Sequence, residues 1–441
     1  MGCRRDFGDP THVRRRRHFT HPWLELVRLG CLPFGGILVS PGAASAQTLA
    51  AATLEYDTVT TRARPEYDPV GVNVGAFRAF PSVTGALVYS DNIYAVRQPR
   101  VDDAAVSLKP RVEVRSQWQR NSLNLTLDGT INRYFTQHTE NTETYGAAIN
   151  GLYALGGDTR LYGTAVLARR IESRGSTGDT LFGAKPIAYR ELSASLNLDH
   201  DFGPTLIGLG GDFSSFRYEN RNLGGVTIDL RNRNYQTVSG DVKVARAIGP
   251  GISVFADFAL NSSRYTDDVN ISRSSHGYSV IGGLSFGLSR LLQGEIGAGY
   301  QRQTFDDPLF PRISGLDYRV RLRWSPTRLL TVNADATRTI QRSPLVGVAG
   351  VRQQDFTLSA DYELRRNLLI HPSFGYLLAE FKGIARNDHY LSGGMKVTWL
   401  LSNRLVATAE LSRNRARPSA GGTGGRIFDQ NRASLGLTAR F

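Results

Sequence analysis

Cysteine is almost missing from this chain: Cys3 and Cys31 are the two thiols in 441 residues, and both precede residue 47. The remainder can form no disulfide, zinc–thiolate site or thiol nucleophile, which suits an oxidising compartment. Long apolar runs are missing too. No stretch of 18 apolar residues occurs, so the sequence offers no membrane-spanning helix. A third absence is the linker. A water-soluble chain of this length normally divides into two or three domains, yet no charge block or low-complexity tract interrupts the evenly recurring turn residues. The histidines after residue 47, His138, His200, His276, His371 and His389, stand apart from one another. Ser275-His276 are neighbours in a predicted loop, but catalysis needs a base and an orienting group brought together in space. Asp102-Asp103, Asp267-Asp268 and Asp306-Asp307 have the composition of calcium ligands and are read as solvated. Gly421-Gly422-Thr423-Gly424-Gly425 precedes no helical pattern and is a flexible loop rather than a phosphate cradle. The expectation is a non-enzyme with no cofactor and no metal.

What the chain does have is alternation. At the carboxyl end, Ala433, Leu435, Leu437, Ala439 and Phe441 interleave with Arg432, Ser434, Gly436, Thr438 and Arg440. A strand with that pattern has one oily face and one wet face. Val106, Leu108, Val112 and Val114 interleave in the same way with Lys109, Arg111, Glu113 and Arg115. Leu123, Leu125 and Leu127 do so with Asn124, Thr126 and Asp128. The sharpest case sets Leu316, Tyr318, Val320, Leu322 and Trp324 against Asp317, Arg319, Arg321 and Arg323. The connections alternate as well. Short turns fall near residues 156–158, 203–204, 249–250, 291, 326, 365 and 403. Longer polar loops fall near 91–103, 136–142, 173–186, 219–232, 266–275, 306–314, 343–350, 382–388 and 415–429. This predicts an all-β fold, a transmembrane antiparallel β-barrel of about 18 strands with short periplasmic turns and long extracellular loops. A soluble sandwich would also alternate, but not with strands this long and loops this unequal.

The two ends set the domain limits. Residues 1–46 read as a signal peptide: Arg4, Arg5 and Arg14 to Arg17 are basic, Leu29 to Val39 is apolar, and Ala44-Ser45-Ala46 fits cleavage between Ala46 and Gln47. Residues 47–75 read as an extended periplasmic lead-in and 76–441 as the barrel. Beyond residue 46 there are 46 basic against 36 acidic residues, a net charge of +10. The arginines are scattered rather than clustered, which argues against a nucleic-acid partner.

Within Arg64-Pro65-Glu66-Tyr67-Asp68-Pro69, followed by a first strand ending at Tyr89 and Asp91-Asn92, the chain resembles the beta-barrel porin type 2 family of Gram-negative outer membranes. The close match covers about 30 residues, since single barrel strands carry weak signals. The resemblance implies an exported protein of the bacterial outer membrane. Gly436 and terminal Phe441 resemble the signal that the barrel assembly machinery reads. Trp118, Trp324 and Trp399 each precede a short turn, while Tyr134, Tyr145, Tyr218, Tyr235, Tyr265, Tyr278 and Tyr390 flank long loops. Both sets are expected at the membrane interfaces, where amphipathic rings settle.

If the apolar face meets lipid and lipopolysaccharide, the polar face lines the interior. Parity then assigns to the pore Lys109, Arg111, Glu113, Arg115, Asp128, Asp241, Lys243, Arg319, Arg321, Arg323, Asp335 and Lys396. Arg319, Arg321 and Arg323 would stack about 7 Å apart. They form either an anion-attracting ladder or a wall neutralised by neighbours such as Asp335, and the neutralised wall is preferred. The expected activity is passive diffusion of small hydrophilic solutes, anionic ones among them. The alternative is a barrel for exopolysaccharide export, which lumen tyrosines able to stack on sugars would favour.

Overall fold

A strand with one oily and one wet face is stable in a membrane only where neighbours satisfy both of its edges, and in lipid that requires closure. The computed structural model describes residues 58–441 except 180–184, 224, 267–271, 288–290, 344, 346 and 420–424. The expected leader, with Ala46 and Gln47, lies outside the described residues, as do Asp267-Asp268 and most of the 421–425 glycine run.

A short strand β1 (Val72–Val74) precedes β2 (Phe77–Ser90), β3 (Asp103–Ser116), β4 (Ser122–Tyr134), β5 (Thr142–Ala154), β6 (Thr159–Ile171), β7 (Ala188–Phe202) and β8 (Thr205–Tyr218). A two-stranded loop hairpin, β9 (Arg221–Leu223) and β10 (Val226–Ile228), follows. Then come β11 (Tyr235–Gly249), β12 (Ile252–Tyr265), β13 (Ser275–Gly287), β14 (Leu292–Phe305), β15 (Ile313–Thr327) and β16 (Leu330–Gln341). The last five are β17 (Gly350–Arg365), β18 (Leu368–Lys382), β19 (Arg386–Leu400), β20 (Leu405–Pro418) and β21 (Phe428–Arg440). Setting aside β1, β9 and β10, eighteen strands pair antiparallel, each with its sequence neighbours. The last pairs with the first, from Ser82↔Arg440 to Ser90↔Arg432. The sheet has no free edge, and the barrel is closed.

Every barrel strand except β16 leaves a large apolar side chain exposed on its outer face; Leu108, Leu167, Leu209, Leu284, Leu358 and Leu435 sample the circuit. In water each would forgo about 1.5–3 kcal/mol of burial, so this band is a lipid surface. The strands run 12 to 16 residues. That exceeds what a tilted strand needs to cross the apolar core, and the surplus carries polar residues at the rim.

One side has connections of two to five residues, the other of seven to sixteen, with a single exception. The expected loop at 382–388 is a three-residue turn, 383–385, because Gly383 takes φ +110° and lets β18 and β19 run to the tip. Ser275-His276 also departs from expectation, opening β13 instead of lying in a loop. Asp103 begins β3, and its carboxylate accepts the Ala104, Thr136 and Gln137 amides at 2.8, 3.1 and 2.7 Å. It caps a turn and is buried, where the sequence suggested a solvated group.

Adjacent residues on opposite faces give a direct test. Leu358→Arg should cost about 2–4 kcal/mol in lipid, read from urea unfolding in vesicles, whereas Ser359→Arg should cost less than 1.

Candidate functional site

The inner face is polar and charged, and all twelve predicted lining residues have inward parity. They do not form one surface. On β3, Arg115 Nε donates to Glu113 Oε1 at 2.8 Å and lies 4.9 Å from the Phe80 ring centre. Arg111 lies opposite Asp128 and 4.0 Å from Glu113, and Lys109 is exposed to the lumen. Lys396 lies opposite Glu410.

A second group sits on β11–β16. Lys243 Nζ donates to Glu295 Oε2 at 3.1 Å, and Arg319 Nη1 lies 3.6 Å from both Asp257 and Glu295. The Lys243–Glu295 and Arg319–Asp257 links each pass over two intervening strands, while Arg319 and Glu295 are on neighbouring ones. Gly283, Gly297 and Gly299 leave the inner face of β13 and β14 low at this height, so the side chains can cross it. A Cβ on Gly297 would lie 2.8 Å from Ile281 and 2.9 Å from Phe255. Phe255 fills that space, with Lys243 Nζ 4.6 Å from its ring centre. Arg321 is opposite Glu295 and Asp335, and Arg323 is opposite Gln293 and Asn333. Lys243, Arg319, Arg321 and Arg323 thus face six carboxylates, Asp241, Asp257, Glu295, Asp317, Asp335 and Asp355. The three arginines belong to a neutralised wall.

The periplasmic mouth is narrowed by the chain itself. Residues 58–68 do not extend away; they fold across the strand ends. Val59 is 1% exposed, with its amide 3.4 Å from Thr331 Oγ1. Arg64, also buried, donates to Glu363 Oε2 at 2.7 Å and to the Val59 carbonyl at 2.6 Å. The Asp68 carboxylate accepts the Arg64 amide at 2.6 Å, and the Arg64 carbonyl accepts the Tyr67 and Asp68 amides at 2.7 Å. Arg440 on β21 donates to the Tyr67 carbonyl. The strap therefore runs from β16–β17 to β21, and β1 then pairs with β2. The sequence showed the RPEYDP motif but not this turn, whose signal is a carboxylate four residues after Arg64.

At the extracellular mouth the loops interlock. Arg174 and Asp179 belong to 172–187, Arg233 to 219–234 and Arg426 to 419–427. Arg174 donates to Glu140 at 3.0 Å, Arg233 pairs with Glu172 at 2.8 Å, and Arg426 pairs with Asp179 at 2.8 Å. Gly175, at φ +78°, lies so close to Phe428 and Ala95 that a Cβ there would sit 2.6 Å from the Phe428 ring. Four strands separate β6 from β21 along the wall, so this loop reaches inward over the lumen. Ala95, Val348, Phe381, Tyr390 and Phe428 form a buried apolar hub beneath it. Asn92, fully buried, donates to the Val96 and Asp429 carbonyls at 2.7 and 2.9 Å.

The interface aromatics divide. Trp118, Trp324 and Trp399 are about half exposed at the short-turn end, and Tyr145 is exposed near the other rim. Tyr218, Tyr235, Tyr265 and Tyr390, expected beside them, instead face inward. Tyr218, Tyr189, Phe216, Tyr235 and Tyr265 make a row with ring centres 4.9–6.1 Å apart. Arg233, Arg342 and Arg273 lie over Tyr218, Tyr235 and Tyr265 at 4.2, 4.6 and 4.4 Å. Proximity to a loop fixed their height but not their face.

These features define the class, a porin-like outer-membrane β-barrel narrowed at both mouths by its own chain. The protein belongs to the family described as "Putative beta-barrel porin 2", whose pattern matches residues 64–441. None of the curated proteins matches it. Among solved structures, the FrpB iron transporter of Neisseria meningitidis is similar at 9% identity, covering 84% of this chain and 82% of that one, with a TM-score of 0.48. OccK9 (OpdG) of Pseudomonas aeruginosa is similar at 12% identity, covering 83% and 98%, with a TM-score of 0.42.

Two results follow from the buried pairs. Arg64→Ala should free the strap, so that protease added to the periplasmic face cuts residues 58–75 in the variant and spares them in the parent. Glu295→Leu alone should cost about 3–5 kcal/mol by stranding Lys243, and Lys243→Met with Glu295→Leu should recover most of it, as urea titration would show.

Proposed function

We propose that this protein is a passive channel for small hydrophilic solutes and not an enzyme. The observation that supports this most is the division of faces on a closed barrel of eighteen strands. Barrels of 16–18 strands are wide enough for an aqueous path. Here the outside is apolar and the inside carries paired and unpaired charge. Water can follow the polar interior, and the loops and the strap set the size limit.

Charge preference rests on β3. Lys109 is exposed to the lumen and Arg111 and Arg115 are half-buried beside it, and Lys109, Arg111 and Arg115 outnumber Glu113 and Asp128 by one charge. Solutes that pass along β3, on the far side of the lumen from the carboxylate-rich wall of β11–β16, then meet a slight preference for anions. Export through the periplasm, assembly from the terminal strand bearing Gly436 and Phe441, and insertion among lipid and lipopolysaccharide complete the reading.

A second reading, polysaccharide export, is favoured by the inward row from Tyr218 to Tyr265, since rings in series can stack on sugars. Three arginines cover those rings here, so export would need the loops to move.

Planar-bilayer conductance tests both. The channel reading expects steady, salt-dependent conductance with slight anion preference. Lys109→Ala with Arg111→Ala should abolish that preference, and Arg319→Ala should leave it nearly unchanged. An inserted barrel that conducts nothing until residues 58–68 are removed would favour export.

A further inference from the structure

The outer rim between β4 and β8 carries charge that neither the lumen nor the loop hub uses. Arg169, Arg190 and Arg217 are direct Cα partners on three adjacent strands. All have the parity of the lipid-facing Leu167, Leu192 and Leu209, and all lie within two residues of the extracellular strand ends. Like charges directly opposite on neighbouring strands repel, so the row needs an anion. Beside it is a cavity of about 520 Å³ lined by Arg133, Arg169, Lys185, Arg221, His138 and Glu143.

The protein supplies too little negative charge here. Arg169 donates to both oxygens of Glu219 at 3.0 and 2.9 Å, and Arg190 reaches only 3.8 Å from the same carboxylate. Arg133 pairs with Glu143. Two nitrogens of Arg221, Nε and Nη2, are buried with no hydrogen-bond partner. Burial, with Arg169 and Arg174 nearby, lowers the Arg221 pKa against the pull of Glu219. Arg133, Arg169, Lys185, Arg190, Arg217 and Arg221 are six cations against the two carboxylates Glu143 and Glu219, an excess of four charges.

We propose that this rim is a binding site for a phosphorylated glycolipid of the outer leaflet, the lipid A portion of lipopolysaccharide. Guanidinium groups bind phosphate by paired, charge-assisted hydrogen bonds. The cavity takes a phosphosugar, and the Arg169–Arg190–Arg217 row takes a second phosphate. The apolar strand face directly below, with Leu167, Leu192 and Leu209 exposed, takes the acyl chains. That continuity from cation row to apolar wall is what assigns a lipid headgroup rather than a soluble phosphate. The site is independent of whatever crosses the lumen.

The test uses the folded chain in phosphatidylcholine nanodiscs doped with bisphosphorylated lipopolysaccharide, with bound lipid counted by native mass spectrometry. The parent should retain one lipopolysaccharide, and the phosphatase-treated lipid should be lost. Combining Arg190→Ser, Arg217→Ser and Arg221→Gln should weaken binding by roughly a hundredfold, while the heat-modifiable gel migration of a closed barrel stays as in the parent and shows that the variant is folded. Arg264→Ser with Arg302→Ser, at the same rim elsewhere, should bind as the parent does. Equal loss in that control, unchanged binding in the triple variant, or displacement by inorganic phosphate would each overturn the proposal.

Discussion

The pairing of β2 with β21 is the contact on which everything else depends. A strand edge in hydrocarbon leaves backbone groups without partners, at a cost of several kcal/mol each, so the sheet must close or fail. The chain reinforces this seam at both ends. At the outer end the Asp91 carboxylate accepts the Asn431 amide at 2.7 Å, and Asn92 holds the Asp429 carbonyl. At the inner end the Phe441 amide meets the Pro81 carbonyl at 3.1 Å, and Arg440 holds Tyr67 of the strap. The two short motifs that resemble the family, Arg64 to Pro69 and Asp91-Asn92, therefore both act where the barrel closes.

Closure fixes which face is inside, and the interior then has to satisfy a crowded set of charges. Glycines at the inner face of β13 and β14 let Lys243 and Arg319 reach carboxylates three strands away. Buried pairs of this kind add little net stability, yet losing one partner is costly. They hold the wall in one arrangement. The same holds for the loops: Arg174, Arg233 and Arg426 each find a carboxylate on another part of the outer mouth. The lumen is thus shaped by ion pairs between segments that closure brings together.

Most of the fold was legible because a period of two is imposed residue by residue. The faces of Leu316 to Trp324 and of Ala433 to Phe441 could be read directly, and so could the inequality of the loops. For the tyrosines, height was read and parity was not: Tyr235 shares the parity of Asp241 and Lys243 and turns inward under Arg342, whereas Tyr145 shares that of Ile149 and turns out to lipid. What else escaped depends on contacts between distant segments. The lead-in looked extended because its partners, Thr331, Glu363 and Arg440, lie some 270 to 380 residues further on. Gly383 hid a tight turn inside what composition suggested was a loop. The Arg169–Arg190–Arg217 row is likewise invisible in sequence, since it exists only once three strands are in register.

The absence of cysteine beyond residue 31 makes closure directly testable. Thr84 and Thr438 face each other across the seam with hydroxyls 2.7 Å apart, and Val406 faces Thr438 on the other side. Directly opposed strand residues have Cα separations that suit a disulfide. Cysteines at 84 and 438, and separately at 406 and 438, should be introduced into the membrane-assembled protein and oxidised. Intramolecular cross-linking of both pairs is the predicted result. Cross-linking of 406 with 438 but not of 84 with 438 would show an open sheet and contradict the account.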